Sequence, residues 1–195
     1  LEVKEGEVLD LGEHKLKFFA TPMVHWPEVT VTYEETKKIL FSADAFGSFG
    51  TLNGNIFKDE VDFEGYYLSE MRRYYSNIVG KFGPQVQSAL KKISSLEIDM
   101  VVPLHGTIWR TKEDIEYLMD LYNKWSTYTP EKKGVLIAYG TMYGNTANFA
   151  DLIANKLAQK GIKDIKVFDV SKTHPSYIVS EAWIYSNLII AAPTY

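Results

Sequence analysis

The chain has 195 residues, 46% of them hydrophobic, and a net charge of −4 with acidic and basic residues interspersed. That is enough for one large domain or two small ones, and the charge pattern argues against a nucleic-acid or other polyanionic partner. With no cysteine, disulfides, thiolate catalysis, thiolate zinc sites and iron–sulfur clusters are excluded. A reducing, cytoplasmic setting fits, and neither a membrane span nor a signal sequence is legible.

Residues 8–21 read as a hairpin turning at Gly12-Glu13-His14, with Leu16, Phe18 and Ala20 alternating with other residues. Residues 29–33 and 38–42 read as a second hairpin around Glu34-Glu35-Thr36. Residues 44–50 are loop, followed by polar, glycine-bearing text to about Asp62. A helix then places Tyr67, Met71, Tyr74 and Ile78 on one face. A second helix, with Pro84 near its start, aligns Val86, Ala89, Leu90 and Ile93, and Gly83-Pro84 separates the two. Residues 98–103 are a short buried strand. Thr111, with Asp114 three positions on, starts another helix carrying Ile115, Leu118, Met119 and Tyr122.

Residues 129–134 are polar and contain Pro and Gly. They are the best linker in the chain, and the expected division is a domain over 1–129, a linker over 130–134 and a second domain over 135–195. Beyond the linker come a strand at 135–139, a helix, a strand at 165–170, a helix over about 176–185 and a strand at 187–191. This is the βαβαβ start of a doubly wound parallel sheet. Such a sheet ordinarily continues through further strand–helix units, and Leu1-Glu2-Val3 is strand-like text, so the sequence reads as an internal segment of a longer protein.

Between the 135–139 strand and its helix lies Gly140-Thr141-Met142-Tyr143-Gly144-Asn145-Thr146. A helix N-terminus offers unpaired N–H groups and a positive dipole end, both suited to a phosphate. The loop contains no lysine and is neither Gly-x-x-x-x-Gly-Lys-Ser/Thr nor Gly-x-Gly-x-x-Gly. A phosphate here would be held by N–H and hydroxyl groups alone. The plainer alternative is a β–α turn with Asn145 or Thr146 as helix cap. A second turn, Pro193-Thr194-Tyr195, follows the 187–191 strand, and both turns stand at strand C-terminal ends, where open α/β sheets bind ligands.

Before the linker, His25, Asp44 and His105 each follow a strand. Imidazole nitrogen and carboxylate oxygen suit zinc or iron, and an aspartate can bridge two ions. Individually they have structural readings too: His25 as a packed neighbour of Trp26, Asp44 as an Asx turn, His105 as a turn cap before Gly106.

The loop at 140–146 and Pro193-Thr194-Tyr195 resemble the phosphate and flavin loops of flavodoxins. Taken with His25-Trp26-Pro27-Glu28, Ser42-Ala43-Asp44-Ala45-Phe46-Gly47 and Pro103-Leu104-His105-Gly106, in that order along nearly the whole chain, the sequence resembles the flavodiiron family. The resemblance implies the C-terminal half of a metallo-β-lactamase-like αββα domain followed by the N-terminal half of a flavodoxin-like sheet. It implies FMN held by Thr141, Met142, Tyr143, Gly144, Asn145, Thr146, Pro193, Thr194 and Tyr195. It further implies two iron ions, with His25 and His105 as ligands of different ions and Asp44 as the bridge. The family's remaining ligands lie in a His-x-Glu-x-Asp segment that this sequence lacks; His14 and His174 match no ligand position. The implied activity is reduction of dioxygen to water or nitric oxide to nitrous oxide, with a rubredoxin-like electron donor and a head-to-tail homodimer. Two rivals stand beside it: a zinc hydrolase fused to a flavodoxin-like module, and a non-catalytic flavodoxin-type electron carrier.

Overall fold

The computed structural model describes residues 2–194. The chain divides into two compact units, one running to Thr127 and the other starting at Tyr128.

In the first unit, five strands form one sheet in the order β1-β2-β3-β4-β5: β1 (Val8–Asp10), β2 (Lys15–Ala20), β3 (Thr30–Glu34), β4 (Ile39–Phe41) and β5 (Met100–Val102). The two hairpins pair antiparallel, and β5 joins β4 in parallel. Of β2, Phe19 is the residue that is buried, rather than Leu16, Phe18 or Ala20. Phe19 is opposite Val31, and Tyr33 is opposite Leu40, so period-two alternation puts these side chains on one face. Val31 and Leu40 enclose a cavity of about 20 Å³ with Val86, Ile93 and Tyr122. Helices α2 (Gly83–Ile93) and α3 (Lys112–Ser126) therefore cover that face.

The helical stretch before α2 is not two helices split by Gly83-Pro84. It runs on from a π-wound turn at Phe63–Tyr67 through α1 (Leu68–Tyr74), a second π turn at Tyr75–Val79 and a short 3₁₀ turn to α2, with Pro84 in its first turn, where no N–H is missed. The i→i+5 winding shifts the phase of the stripe. Tyr75 and Val79 are fully buried while Ile78 is only half-buried. The expected Thr111 cap is present, its hydroxyl accepting from the Asp114 N–H at 3.2 Å. Beyond the residues expected on that helix, Leu121 and Trp125 are also buried, and Trp125 packs on Tyr75 and Tyr122 at 5.2 and 5.8 Å.

The second unit is a three-stranded parallel sheet in the order β7-β6-β8, from β6 (Lys132–Tyr139), β7 (Ile165–Asp169) and β8 (Tyr185–Ala191). With the first strand central, this is the 2-1-3 start of the flavodoxin-like strand order. Helix α4 (Asn145–Gln159) buries Ala150 against Val135 and Ile137. Helix α5 (Pro175–Glu181) ends earlier than expected, and Tyr185 belongs to β8. The expected linker over 130–134 is also displaced, because Lys132 already pairs with Tyr185. Gly134 is not a chain breaker here. A Cβ on it would lie 2.3 Å from the Asp164 carbonyl, so glycine permits the close approach of the neighbouring segment. Among the described residues no helix is long and apolar enough to cross a membrane.

Candidate functional site

Strands β2 and β4 both pair antiparallel with β3, and β5 runs parallel to β4. The C-terminal ends of β2, β4 and β5 therefore share one edge of the sheet, and the three candidate ligands follow those ends. Phe41 and Val102 are register partners, and Asp44 and His105 each come three residues later. His25 belongs to a strand two places away, at about 4.8 Å per place, and the longer segment after Ala20 spans that gap.

The turns bearing these residues use backbone that side-chain-bearing residues rarely adopt: φ is 67° at Met23, 52° at Ala43 and 67° at Phe46. Each such residue costs on the order of 1–3 kcal/mol and persists where its surroundings over-determine it. Several bonds do so here. The Ser42 hydroxyl donates to the Ala45 carbonyl at 2.8 Å, the Phe46 N–H donates to the buried Tyr122 hydroxyl at 2.6 Å, and the Leu104 N–H donates to the Ala43 carbonyl at 2.9 Å.

His25 Nε2 lies 3.4 Å from one oxygen of Asp44, and His105 Nε2 lies 3.6 Å from the other. These separations are long for hydrogen bonds. Two atoms each about 2.1 Å from one ion stand roughly 3.0–3.4 Å apart, so the pairs are spaced much as co-ligands are. His105 Nδ1 faces the Ser48 carbonyl at 2.8 Å. A carbonyl only accepts, so Nδ1 carries a proton, which leaves Nε2 as the nitrogen that can face an ion beside Asp44. A Cβ on Gly47 would lie 2.3 Å from His105 Cε1, so glycine is what lets this ring settle against the Asp44 loop. Among the described residues no group of three or more His, Cys, Asp or Glu side chains is set to hold a metal ion. The three candidates form two pairs that share one carboxylate, a donor set fitting two ions yet incomplete for either. Nitrogen and oxygen donors without sulfur suit iron or zinc.

Tyr74 is a site residue that the sequence marks only as part of an apolar stripe. Its ring stands edge-on to His105 at 4.7 Å and to His25 at 6.4 Å. Its hydroxyl is buried without a hydrogen-bond partner. Burial, and then the charge of Asp44, push its pKa well up. Trp26, 58% exposed, tilts against His25 at 5.6 Å. The other two histidines are structural: His14 donates to Glu34 at 3.0 Å, and His174 caps α5 by accepting the Ser176 N–H.

In the second unit β6 leads into Gly140, and Gly144, with φ of 86°, precedes α4. The Gly144 N–H donates to the Thr141 hydroxyl at 3.1 Å, so Thr141 folds the loop on itself. Neither Asn145 nor Thr146 caps α4; no side chain does. The first N–H groups of this helix thus keep the orphan character that suits an anion. Met142 and Tyr143 are 63% and 82% exposed, and Thr146 is half-buried. The Gly140 N–H donates to the Ala191 carbonyl at 2.9 Å, which sets the end of β8 beside the loop. Exposed Pro193 and Thr194 follow; Tyr195 lies outside the described residues. A neutral cup of N–H, hydroxyl and amide groups fits a phosphate monoester.

A family model described as "ODP family beta lactamase" matches residues 2–106, more than half of the chain. An uncharacterized protein of Methanocaldococcus jannaschii is 34% identical over 98% of this chain and 47% of its own length. The anaerobic nitric oxide reductase flavorubredoxin of Escherichia coli is 33% identical over 98% of this chain and 40% of its own. The chain thus spans less than half the length of these relatives. Among solved structures, rubredoxin oxygen:oxidoreductase from Desulfovibrio gigas matches with a TM-score of 0.92 at 29% identity, covering 99% of this chain and 48% of that one. The flavodiiron protein of Giardia intestinalis matches with a TM-score of 0.93 at 28% identity, covering 100% of this chain and 47% of that one.

Proposed function

The chain belongs to the flavodiiron family, an oxidoreductase family whose beta-lactamase-like portion its residues 2–106 match, and from that premise we propose that it serves an FMN- and di-iron-dependent reductase of dioxygen or nitric oxide. On this reading the first unit carries half of the iron ligands and the second carries the phosphate loop. The observation that carries it is the shared carboxylate: two imidazole Nε2 atoms facing opposite oxygens of Asp44, at 3.4 and 3.6 Å.

When bound, FMN supplies single electrons and the iron pair supplies a redox-active place for the gas. His25 and His105 would each offer a neutral nitrogen to one ion, and Asp44 would offer an oxygen to each, its charge offsetting part of theirs. The Ser48 carbonyl and Gly47 keep His105 from turning. Tyr74 shields the imidazoles from water and holds a hydroxyl proton within the field of Asp44. The α4 N-terminus, with Asn145 and Thr146, binds the flavin phosphate. Pro193 and Thr194 would line the ring side of the site, and exposed Met142 and Tyr143 would cover the cofactor from outside. The electron donor is rubredoxin-like, and the working form is a head-to-tail homodimer in the cytoplasm.

The test is gas consumption by the full-length protein with a reduced rubredoxin-type donor, alongside metal and flavin analysis. Consumption of dioxygen or nitric oxide with bound iron and FMN is expected. Zinc without iron, together with ester or amide hydrolysis, would favour the hydrolase. A reducible flavin without gas turnover would favour the electron carrier.

A further inference from the structure

Beside the candidate metal site, the Phe49 ring is wedged between two consecutive residues of α1. The Arg73 guanidinium lies 4.5 Å over its face, and the Tyr74 ring meets it edge-on at 5.3 Å and 85°. Glu70 holds that guanidinium from one turn earlier, at 3.0 Å to Nε and 2.5 Å to Nη2. Phe49 also lies on the loop that touches His105 twice, through the Ser48 carbonyl and through Gly47. The contacts therefore close a ring: the loop fixes one side of His105, Tyr74 fixes another, and Phe49 ties Tyr74 back to the loop.

An i,i+3 ion pair alone contributes little, which leaves unexplained why this partly buried guanidinium is also held over an aromatic face. We propose that Arg73 and Phe49 are positioning residues for the reaction centre, setting where the Tyr74 ring and its buried hydroxyl stand over His25 and His105. The inference rests on the di-iron reading. The chemistry requires a forked cation and an aromatic ring: lysine keeps the charge but not the fork that Glu70 holds through two nitrogens, and leucine keeps apolar volume but not the quadrupole.

The test is a double-mutant cycle in the full-length protein, combining Phe49→Leu and Arg73→Lys separately with Tyr74→Phe. Either change in the natural background is expected to lower kcat about tenfold with little change in KM. In the Tyr74→Phe background the same changes should have almost no further effect, and Phe49→Tyr should restore kcat. Fluorine NMR of protein labelled with fluorotyrosine at position 74 gives a readout without turnover. The signal should broaden or split in Phe49→Leu and Arg73→Lys and stay single in Phe49→Tyr. Additive losses in the cycle, or an unchanged fluorine signal, would overturn the positioning role. If instead the unaltered protein binds no iron and consumes no gas, the functional reading fails first; the fluorine experiment still decides whether Arg73 and Phe49 fix Tyr74.

Discussion

At the candidate metal site contacts from several elements fix the side chains, whereas the candidate phosphate loop is shaped mainly by its own backbone and one Thr141 hydroxyl. His105 is pinned through Nδ1, through Gly47 and by Tyr74, and the turn around Asp44 is braced by Ser42 and Tyr122. In the second unit the Gly144 N–H donates to the Thr141 hydroxyl within the loop, and Met142 and Tyr143 are exposed. On the proposed reading the difference follows from the ligands. An ion offers no walls and tolerates only a few tenths of an ångström, so its donors must be held by the protein. A flavin phosphate brings oxygens that accept from whatever N–H groups a helix start presents, and the rest of the cofactor supplies surface for exposed aromatic side chains to cover.

That contrast has consequences of graded size. Removing the shared anion should be the most damaging. In the full-length protein Asp44→Ala is expected to lose most bound iron and all gas turnover while retaining reducible FMN, since the proposed flavin loop lies in the other unit. Metal analysis and flavin absorbance decide it, and retained iron at full occupancy would break the comparison. Thr146→Val should do the converse, weakening FMN about ten- to a hundredfold, the effect of one charge-assisted hydrogen bond, without loss of iron. Flavin titration of the apoprotein measures this, and an unchanged affinity would remove Thr146 from the cup. Gly47→Ala tests the brace rather than a ligand. Its Cβ would displace the His105 ring, so metal affinity should fall about tenfold with the thermal midpoint nearly unchanged.

The smallest effect concerns the C-terminal end of β3, at the opposite end of the sheet from the candidate metal site. Burial opposes the charge of Glu34, but the Lys37 N–H, the His14 ring and the Thr36 N–H together outweigh it and hold the carboxyl at about 2, against an ordinary 4.5. A depressed carboxylate contributes stability that is present above its unfolded value and lost as pH falls toward its folded one. Stability should therefore decline from about pH 4.5 toward 2. Glu34→Gln should flatten that part of the acid unfolding curve, and an unaltered curve would show that this carboxylate does not contribute.

His25, Asp44 and His105 are legible in the sequence because each follows an apolar run, and strands sharing one direction bring such ends to one edge. Tyr74 is not, because an aromatic residue on an amphipathic stripe looks the same whether it faces a core or a metal pocket. The phase change that brings both Tyr75 and Val79 inward comes from π winding, and no residue type announces it. Gly134 misleads for a related reason: glycine marks a chain break in polar text, yet here it allows a neighbouring backbone to approach a central strand. The Gly140–Thr146 loop reads more directly as a β–α turn because its two glycines, its hydroxyls and the helix after it are contiguous in the sequence.

The central claim is that one carboxylate joins two imidazole-ligated ions. Anomalous scattering at the iron edge, from crystals of the full-length protein, tests it most directly. Two iron peaks are expected, one beside His25 Nε2 and one beside His105 Nε2, with an oxygen of Asp44 reaching each. A single peak, zinc in place of iron, or either imidazole turned away from the metal would contradict it.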